Sequence, residues 1–322
     1  MSFPRVSVVL CTFNGERYIA EQLDSLLSST LPIFEIIIQD DCSFDNTWQI
    51  INEYKEYYPQ LIKCYKNTSN LFWNQNFYSA ILKASGEYIA LCDQDDIWLP
   101  NKLEVQVSDL LRTNQLVHIC DQWEWNDYGL FPVHYKKTSF FSAFFYPPYC
   151  GHTMLLKKDV QNYIHTGMSI DLAHDMFLGL LAAYQDSISY SDARLVKWRR
   201  HSNAATKQEE AMDSISGKAK IAYSIKQLIK GNKSSVIRIG VNKYYQTLLF
   251  FEQSFGKRAD TKHALTFLSC LKKQTLFSYF HAAILFCFID DTVVDSSLTW
   301  LKRLYAKLTY VFKWWFDHQY NL

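Results

Sequence analysis

"EYIALCDQDDIWLP", residues Glu87 to Pro100, runs from an apolar stretch straight into Asp93, Asp95 and Asp96. The apolar half reads as a buried strand, so the acids fall at its carboxyl end. Carboxylates this close repel one another, and each is costly to desolvate. A cluster of this kind calls for a positive charge or for open water. Two carboxylates split by one residue suit a hard divalent cation, whose open positions can take phosphate oxygens. The competing reading is a helix N-terminus, where acids are favoured by exposed N–H groups and the helix dipole.

The surroundings decide between the two. Residues 1 to about 115 alternate strand and helix. "VSVVLCT" (Val6 to Thr12), "FEIIIQ" (Phe34 to Gln39), "LIKCYKN" and "EYIALC" read as strands. "ERYIAEQLDSLLSS", "NTWQIINEYKEYY" (capped by Ser43 or Asp45) and "NQNFYSAILKA" (stopped by Gly86) read as helices, and a fourth follows Pro100 as far as about Arg112. This alternation predicts a mainly parallel sheet with helices on both faces. Such sheets bind ligands at the carboxyl ends of their strands. Cys11-Thr12-Phe13-Asn14, Asp40-Asp41 and Asp93-Gln94-Asp95-Asp96 all stand there. A site is therefore expected on that edge.

Farther on, "LVHICDQWEW" and "HTMLLKK" read as strands, and "FFSAFFYPPYCG" as an aromatic loop closed by Pro147-Pro148. "DLAHDMFLGLLAAY" is an apolar helix with His174 and Asp175 in its first turn, and "SISYSDARLVKWRRHSN" gives one or two strands. After about Ala205, "TKQEEAMDSISGK" reads as a polar linker or lid, and the rest is helical. The last helix puts Leu298, Leu301, Leu304, Tyr305, Leu308, Phe312 and Trp315 on one face and Lys302, Arg303, Lys307 and Lys313 on the other. That pattern suits either packing on the catalytic domain or an interfacial helix on anionic lipid.

The chain has 322 residues, 48% hydrophobic and 20% charged, enough for a sizeable core. A formal net charge of +1 gives no global pull toward nucleic acid, and no nucleic-acid partner is expected. Eight scattered cysteines with no C-x-x-C pair argue against structural zinc and fit a reducing cytoplasm. "TLFSYFHAAILFCFI" (Thr275 to Ile289) is short of the roughly 20 residues of a spanning helix, so no transmembrane segment is expected.

Single residues carry further expectations. Asp41 is placed to accept from a nucleobase N–H. Asp175 could take a proton from an attacking hydroxyl. Arg199 and Arg200 beside His201 could stabilise a departing diphosphate. Trp98 is expected on the acceptor wall, stacked on a sugar ring, with core packing as its alternative. His152 and the loop Phe140 to Tyr149 are expected to line the acceptor side, as is His174.

Six segments in order, "VSVVLCTFNGERYIAEQLDSLLSST", "FEIIIQDDCSFDNT", "NLFWNQNFYSAILKASGEYIALCDQDDIWLPNKLE", "GHTMLL", "AHDMFLGLLA" and "WRRHSN", resemble the family 2 glycosyltransferases, in particular their bacterial rhamnosyltransferase-like branch. The resemblance covers roughly residues 5 to 205. It implies an α/β GT-A (Rossmann-like) catalytic domain over 1–205, with a nucleotide-sugar half to about 115 and an acceptor half over 116–205. Residues 206–322 follow as a helical C-terminal region. It also implies Cys11, Phe13, Asp41, Asn76, Asp93 and Gln94 on the nucleotide-sugar, Asp95 and His201 on Mn²⁺ or Mg²⁺, and Asp175 as catalytic base. Cys11, a poor hydrogen-bond acceptor, stands where the family usually has Pro or a Thr-like residue, and Phe72 where it often has glycine.

The expected activity is metal-dependent, inverting transfer from a nucleoside diphosphate sugar to a saccharide or lipid-linked acceptor in bacterial surface polysaccharide assembly. The expected location is cytoplasmic, with peripheral inner-membrane contact through the C-terminal helices as an option. A nucleotidyltransferase and a catalytically inactive, membrane-bound nucleotide-sugar scaffold are the alternatives. The first would want a glycine- and basic-rich loop where "CTFNGERY" has one glycine and one arginine.

Overall fold

The computed structural model describes residues 3–135, 140–143, 150–201, 217–231, 233–258 and 261–289. The chain divides into two compact units, residues 1–137 with 148–204, and residues 138–147 with 205–322. The short stretch 138–147 thus groups with the later part of the chain, not with its sequence neighbours.

In chain order the elements are β1 (Val6–Thr12), α1 (Ile19–Leu27), β2 (Glu35–Asp40), α2 (Thr47–Tyr57), β3 (Ile62–Lys66), α3 (Phe72–Ile81), β4 (Tyr88–Cys92), β5 (Ile97–Trp98), α4 (Lys102–Thr113), β6 (Val117–Asn126), β7 (Gly129–Val133), α5 (Phe140–Ala143), β8 (Met154–Lys157), α6 (Ile164–Ile170), α7 (His174–Tyr184) and β9 (Ile188–Arg199). Four helices follow: α8 (Gly217–Ile229), α9 (Ser235–Phe255), α10 (Thr261–Lys273) and α11 (Leu276–Ile289).

The strands form one sheet in the order β3-β2-β1-β4-β8-β6-β9-β5, with β7 paired to β6. The β-branched runs Val6, Val8, Val9 and Ile36 to Ile38 are fully buried, as a sheet covered on both faces requires. β1 pairs parallel with both β2 and β4, with Thr12 opposite Asp40 and Leu10 opposite Cys92. That register brings Phe13, Asp41 and Asp93 out on one edge. β8 then enters antiparallel between β4 and β6. β6 and β9 run parallel, with register shifts at Cys120/Asp121 and Asp121/Gln122.

Glu35 ties the far end of the sheet. It accepts from Ser7 Oγ (2.6 Å), Lys63 Nζ (2.6 Å) and the Ser85 N–H (2.7 Å). Burial alone would raise its pKa, but these bonds win and hold it at about 2.

Several boundaries differ from the sequence expectation. α1 begins at Ile19, because the Gly15 carbonyl first takes the N–H groups of Tyr18 and Ile19. α3 ends at Ile81 without help from Gly86, whose role is close approach: a Cβ there would lie 2.6 Å from the Arg5 carbonyl oxygen. Ser43 does not cap α2. It links loops instead, accepting from Asn14 N–H and donating to Asp40. Asp45 does accept the Thr47 N–H, at 3.0 Å. The two-residue strand β5, paired with β9, has no periodicity to betray it. Trp98, expected on an acceptor wall, is core: it is 3% exposed, and Lys102 Nζ sits 3.8 Å over its ring.

In the second unit, Val241, Leu248, Phe251, Phe267, Leu268, Leu271 and Tyr279 are buried, and the Phe140 ring lies 6.4 Å from that of Phe251. No helix among the described residues is long and apolar enough to cross a membrane. The tip of the aromatic loop (144–149), the polar segment at 206–216 and the amphipathic stretch 298–315 lie outside the described residues.

Candidate active site

Of the residues expected on the nucleotide-sugar, Phe13 and Asp41 sit on the loops after β1 and β2, Cys11 lies in β1, Asn76 in α3, and Asp93 and Gln94 follow β4. The Asp41 N–H bonds the Thr12 carbonyl (2.8 Å), fixing the two loops together. Asp41 Oδ1 accepts from Asn67 Nδ2 and from the Leu71 N–H, both at 2.7 Å. Its Oδ2 has no partner among the described residues, although the residue is only 2% exposed.

Asn76, assigned above to the nucleotide, is turned inward. It donates to the Gln39 carbonyl (3.0 Å) and accepts from Asn67 (2.8 Å), so it braces Asp41's neighbour rather than facing a ligand. Gln94 is likewise spent: its Oε1 takes the Phe13 N–H (2.8 Å) and its Nε2 donates to the Phe13 carbonyl (3.1 Å). This two-point clasp holds Phe13 in place, with the ring 41% exposed. Cys11 lies beneath as a buried thiol, its pKa pushed well up by burial and by the Asp93 and Asp41 carboxylates.

The acids after β4 divide between two histidines, Asp93 and Asp96 on His152 and Asp95 on His201. His152 is buried, with Nδ1 at 3.0 Å from Asp93 Oδ2 and 3.2 Å from Asp96 Oδ2. Its Nε2 meets the side-chain carbonyl of Gln122. The register irregularity in β6 falls at Asp121 and Gln122, which re-aims both. Asp121 accepts from the Tyr135 N–H (2.8 Å) and contacts His134.

Burial disfavours a charged imidazole at His152, yet Asp96 and Asp93 outweigh it and raise its pKa. Desolvation likewise works against the Asp93 anion, but the His152 hydrogen bond and charge hold its pKa below the ordinary value. Asp96 goes the other way, pushed to about 7 by burial with help from Asp93 and Asp95. Asp93, Asp96 and His152 are the group of potential metal ligands among the described residues whose atoms all lie within 4.8 Å of one another. His152 and Asp96 are dry, however, with side chains 3% and 0% exposed.

The second pair is Asp95 with His201, Oδ2 to Nε2 at 3.0 Å, with 18% and 14% of the side chains exposed. The His201 ring lies against Tyr18 at 4.6 Å. Burial and the Asp93 carboxylate raise the Asp95 pKa against the pull of His201. A carboxylate and an imidazole converging at the surface, with the acid short of positive charge, fit a divalent cation. In the trio only Asp93 reaches solvent, with 39% of its side chain exposed, while Asp96 and His152 are dry.

Arg199, expected on a diphosphate, is a strut. Its N–H bonds Asp96 Oδ1 (3.0 Å), its Nε the Asp95 carbonyl (2.9 Å), and its guanidinium pairs with Glu21 and lies over Trp125. Arg200 lies 4.2 Å over the Trp198 ring.

On the other side, Asp175 stands in the first turn of α7 with Oδ1 on the Met176 N–H (2.7 Å). The loop before it is tied to α3: the Leu172 carbonyl accepts from Asn74 Nδ2 (2.8 Å) and Tyr78 OH (3.2 Å). His174 is not exposed to an acceptor. It is buried and stacked on Phe77 at 4.1 Å, and burial lowers its pKa. Gly151 closes the gap between the groups: a Cβ there would stand 3.1 Å from His174 Nε2 and 3.7 Å from Asp175 Cβ. The neighbouring His152 holds Asp93. The turn Gly151–His152 therefore joins the Asp175 side to the acid cluster.

Two solved structures share this architecture. TarS 1–349 of S. aureus, in complex with UDP, has a TM-score of 0.54 at 16% identity, over 96% of this chain and 89% of that one. The mannosyltransferase PcManGT from Pyrobaculum calidifontis, with GDP-Man and Mn²⁺, has a TM-score of 0.53 at 13% identity, over 100% and 88%. These likenesses define the fold as GT-A. The model of glycosyl transferase family 2 matches residues 7–170, and the chain belongs to that family. The dTDP-rhamnosyl transferase RfbG of Shigella flexneri is 29% identical over 209 residues, 60% of this chain and 72% of its own length. The Escherichia coli UDP-Glc:alpha-D-GlcNAc-diphosphoundecaprenol beta-1,3-glucosyltransferase WfgD is 35% identical over 109 residues, 34% of this chain and 42% of its own. Two further curated relatives are spanned over only 39% and 32% of their length.

Proposed function

We propose that the chain is a metal-dependent, inverting glycosyltransferase. It moves a sugar from a nucleoside diphosphate to a saccharide or lipid-linked saccharide in bacterial surface polysaccharide synthesis, at the cytoplasmic side of the membrane. The observation that carries this reading is the surface pair Asp95–His201, on the sheet edge shared with Asp41 and Asp93. The names of RfbG and WfgD support the donor and acceptor classes.

In this reading Asp41 and Phe13 receive the nucleoside, and Asp93, 39% exposed, accepts from its ribose hydroxyls. Asp95 and His201 would hold Mn²⁺ or Mg²⁺, which when bound supplies positive charge to the leaving diphosphate. Asp175 takes the proton from the acceptor hydroxyl as that oxygen attacks the anomeric carbon from the face opposite the diphosphate. Its Met176 N–H bond fixes Oδ1, and Oδ2, with no partner among the described residues, is the atom that takes the proton.

The test is transfer with purified protein, radiolabelled donor and membrane-derived acceptor. Asp175→Asn is expected to lower turnover about 100- to 10,000-fold while nucleotide affinity stays. Near-normal turnover in that variant would remove Asp175 from this role.

A further inference from the structure

Seven non-glycine residues among those described have a left-handed backbone, and three of them cluster on the loops after β1, β2 and β3: Asn14 (φ 49°), Cys42 (φ 66°) and Phe72 (φ 63°). Asparagine takes this region readily, but a bulky side chain pays a steric penalty there. Buried packing could enforce such strain, yet Phe72 is 73% exposed. Its neighbours Leu71 and Trp73 are 39% and 52% exposed, and the Trp73 ring also meets His174 edge-on at 5.9 Å. Asn70 Oδ1 accepts the Phe72 N–H at 2.8 Å and so holds the turn locally, and the turn leaves the aromatic side chain facing solvent, where a ligand can meet it.

The position indicates what that is. Leu71, one residue before Phe72, gives its N–H to Asp41 Oδ1, and Thr12, one residue before Phe13, accepts the Asp41 N–H. Two exposed aromatic residues thus each adjoin a group bonded to Asp41. Asp41 Oδ2 has no partner among the described residues. A flat ring that also presents an N–H to a carboxylate is a nucleobase, and base–aromatic stacking is worth a measurable share of nucleotide affinity.

We propose that Phe72 supplies an aromatic face for the nucleobase of a nucleoside diphosphate beside Asp41, and that its left-handed backbone is retained to present that ring. This rests on the nucleotide-sugar reading above. It assigns a donor-binding role to an aromatic residue that stands where the family often has glycine.

The test is calorimetric titration of the full chain, in Mn²⁺, with UDP, dTDP and GDP, and with pyrophosphate as the probe lacking a base. For the nucleotide that wild type binds most tightly, Phe72→Gly and Phe72→Ala are each expected to weaken binding about tenfold or more. Phe72→Tyr keeps it within about threefold, and pyrophosphate binding stays unchanged in all three. Phe72→Gly should also melt higher than Phe72→Ala, because only glycine adopts this backbone freely. Nucleotide binding within twofold of wild type in both Phe72→Gly and Phe72→Ala would overturn the proposal. So would an equal loss for pyrophosphate, or a Gly variant that melts no higher than the Ala variant. Wild type that binds none of the three nucleotides would instead overturn the nucleotide-sugar reading, and this inference with it.

Discussion

The three acids after β4 meet two histidines in different settings. Asp95 and His201 meet at 3.0 Å with 18% and 14% of their side chains exposed. Asp93 and Asp96 converge on His152, of which Asp96 and His152 are dry. Depth decides what each arrangement is good for. The open pair can exchange its mutual contact for a cation, because water and phosphate oxygens can complete the coordination. In the buried one the imidazole is matched by Asp93, Asp96 and Gln122, although Asp96 Oδ2 and Gln122 Nε2 have no hydrogen-bond partner of their own among the described residues, and removal of His152 leaves two carboxylates without their counter-charge. The comparison sets the pair proposed above as the cation site against a drier cluster beside it, to which Asp93 belongs through His152 while still reaching the surface.

The largest expected effect falls on the open pair. Asp95→Ala should lower transfer about 100- to 1,000-fold and leave the melting temperature unchanged, measured by turnover and thermal denaturation on one preparation. A large loss of stability would erase the distinction between the pairs.

His152→Ala should do the reverse, destabilising the fold by about 3 kcal/mol in chemical denaturation because Asp93 and Asp96 lose their shared counter-charge. Adding Asp96→Asn should recover part of that loss, since one of the stranded carboxylates goes with it. No recovery would mean that His152 acts through packing alone.

Another buried carboxylate, Glu35, extends the contrast to the other end of the sheet. The Glu35 pKa is about 2 in the folded chain, against an ordinary value of 4.5. Its contribution is therefore fully present above about pH 4.5 and is lost as pH falls through about 2. Glu35→Gln should cost roughly 2 kcal/mol at pH 7 and flatten the acid-side loss of stability. An unchanged acid slope would show that the lost stability came from other groups.

The smallest effect is expected at Gly15, where a Cβ would stand 2.3 Å from Gln94 Oε1. The amide can swing aside, so Gly15→Ala should cost only about 1 kcal/mol, with a raised donor KM as Phe13 loses its clasp.

The strands were legible because β-branched runs such as Val6 to Thr12 leave a period that survives without neighbours. The carboxyl-edge location followed from their alternation with helices. Side-chain direction was not legible. Asn76 and Gln94 stand at the right places, but their amides bond the Gln39 and Phe13 backbones, a choice made by packing. Trp98 sits two residues past the acids yet points into the core, since the short β5 turns it there. The His152–Asp93 contact joins residues 59 apart and relies on an irregularity between β6 and β9 that no local pattern carries. Asp95 and His201, 106 residues apart, were placed together only by the family resemblance. Arg199 looked like a free cation and is consumed by Glu21 and by backbone carbonyl and carboxylate groups around Asp95 and Asp96.

The most direct test of the open pair is Mn²⁺ binding followed by electron paramagnetic resonance, with UDP or dTDP present. It should compare wild type, Asp95→Asn with His201→Asn, and a His152→Gln variant shown to be folded. The account predicts that Mn²⁺ binding is lost in the first variant and kept in the second. Binding that survives loss of Asp95 and His201 but vanishes with His152 would contradict it, and would move the cation to the buried trio.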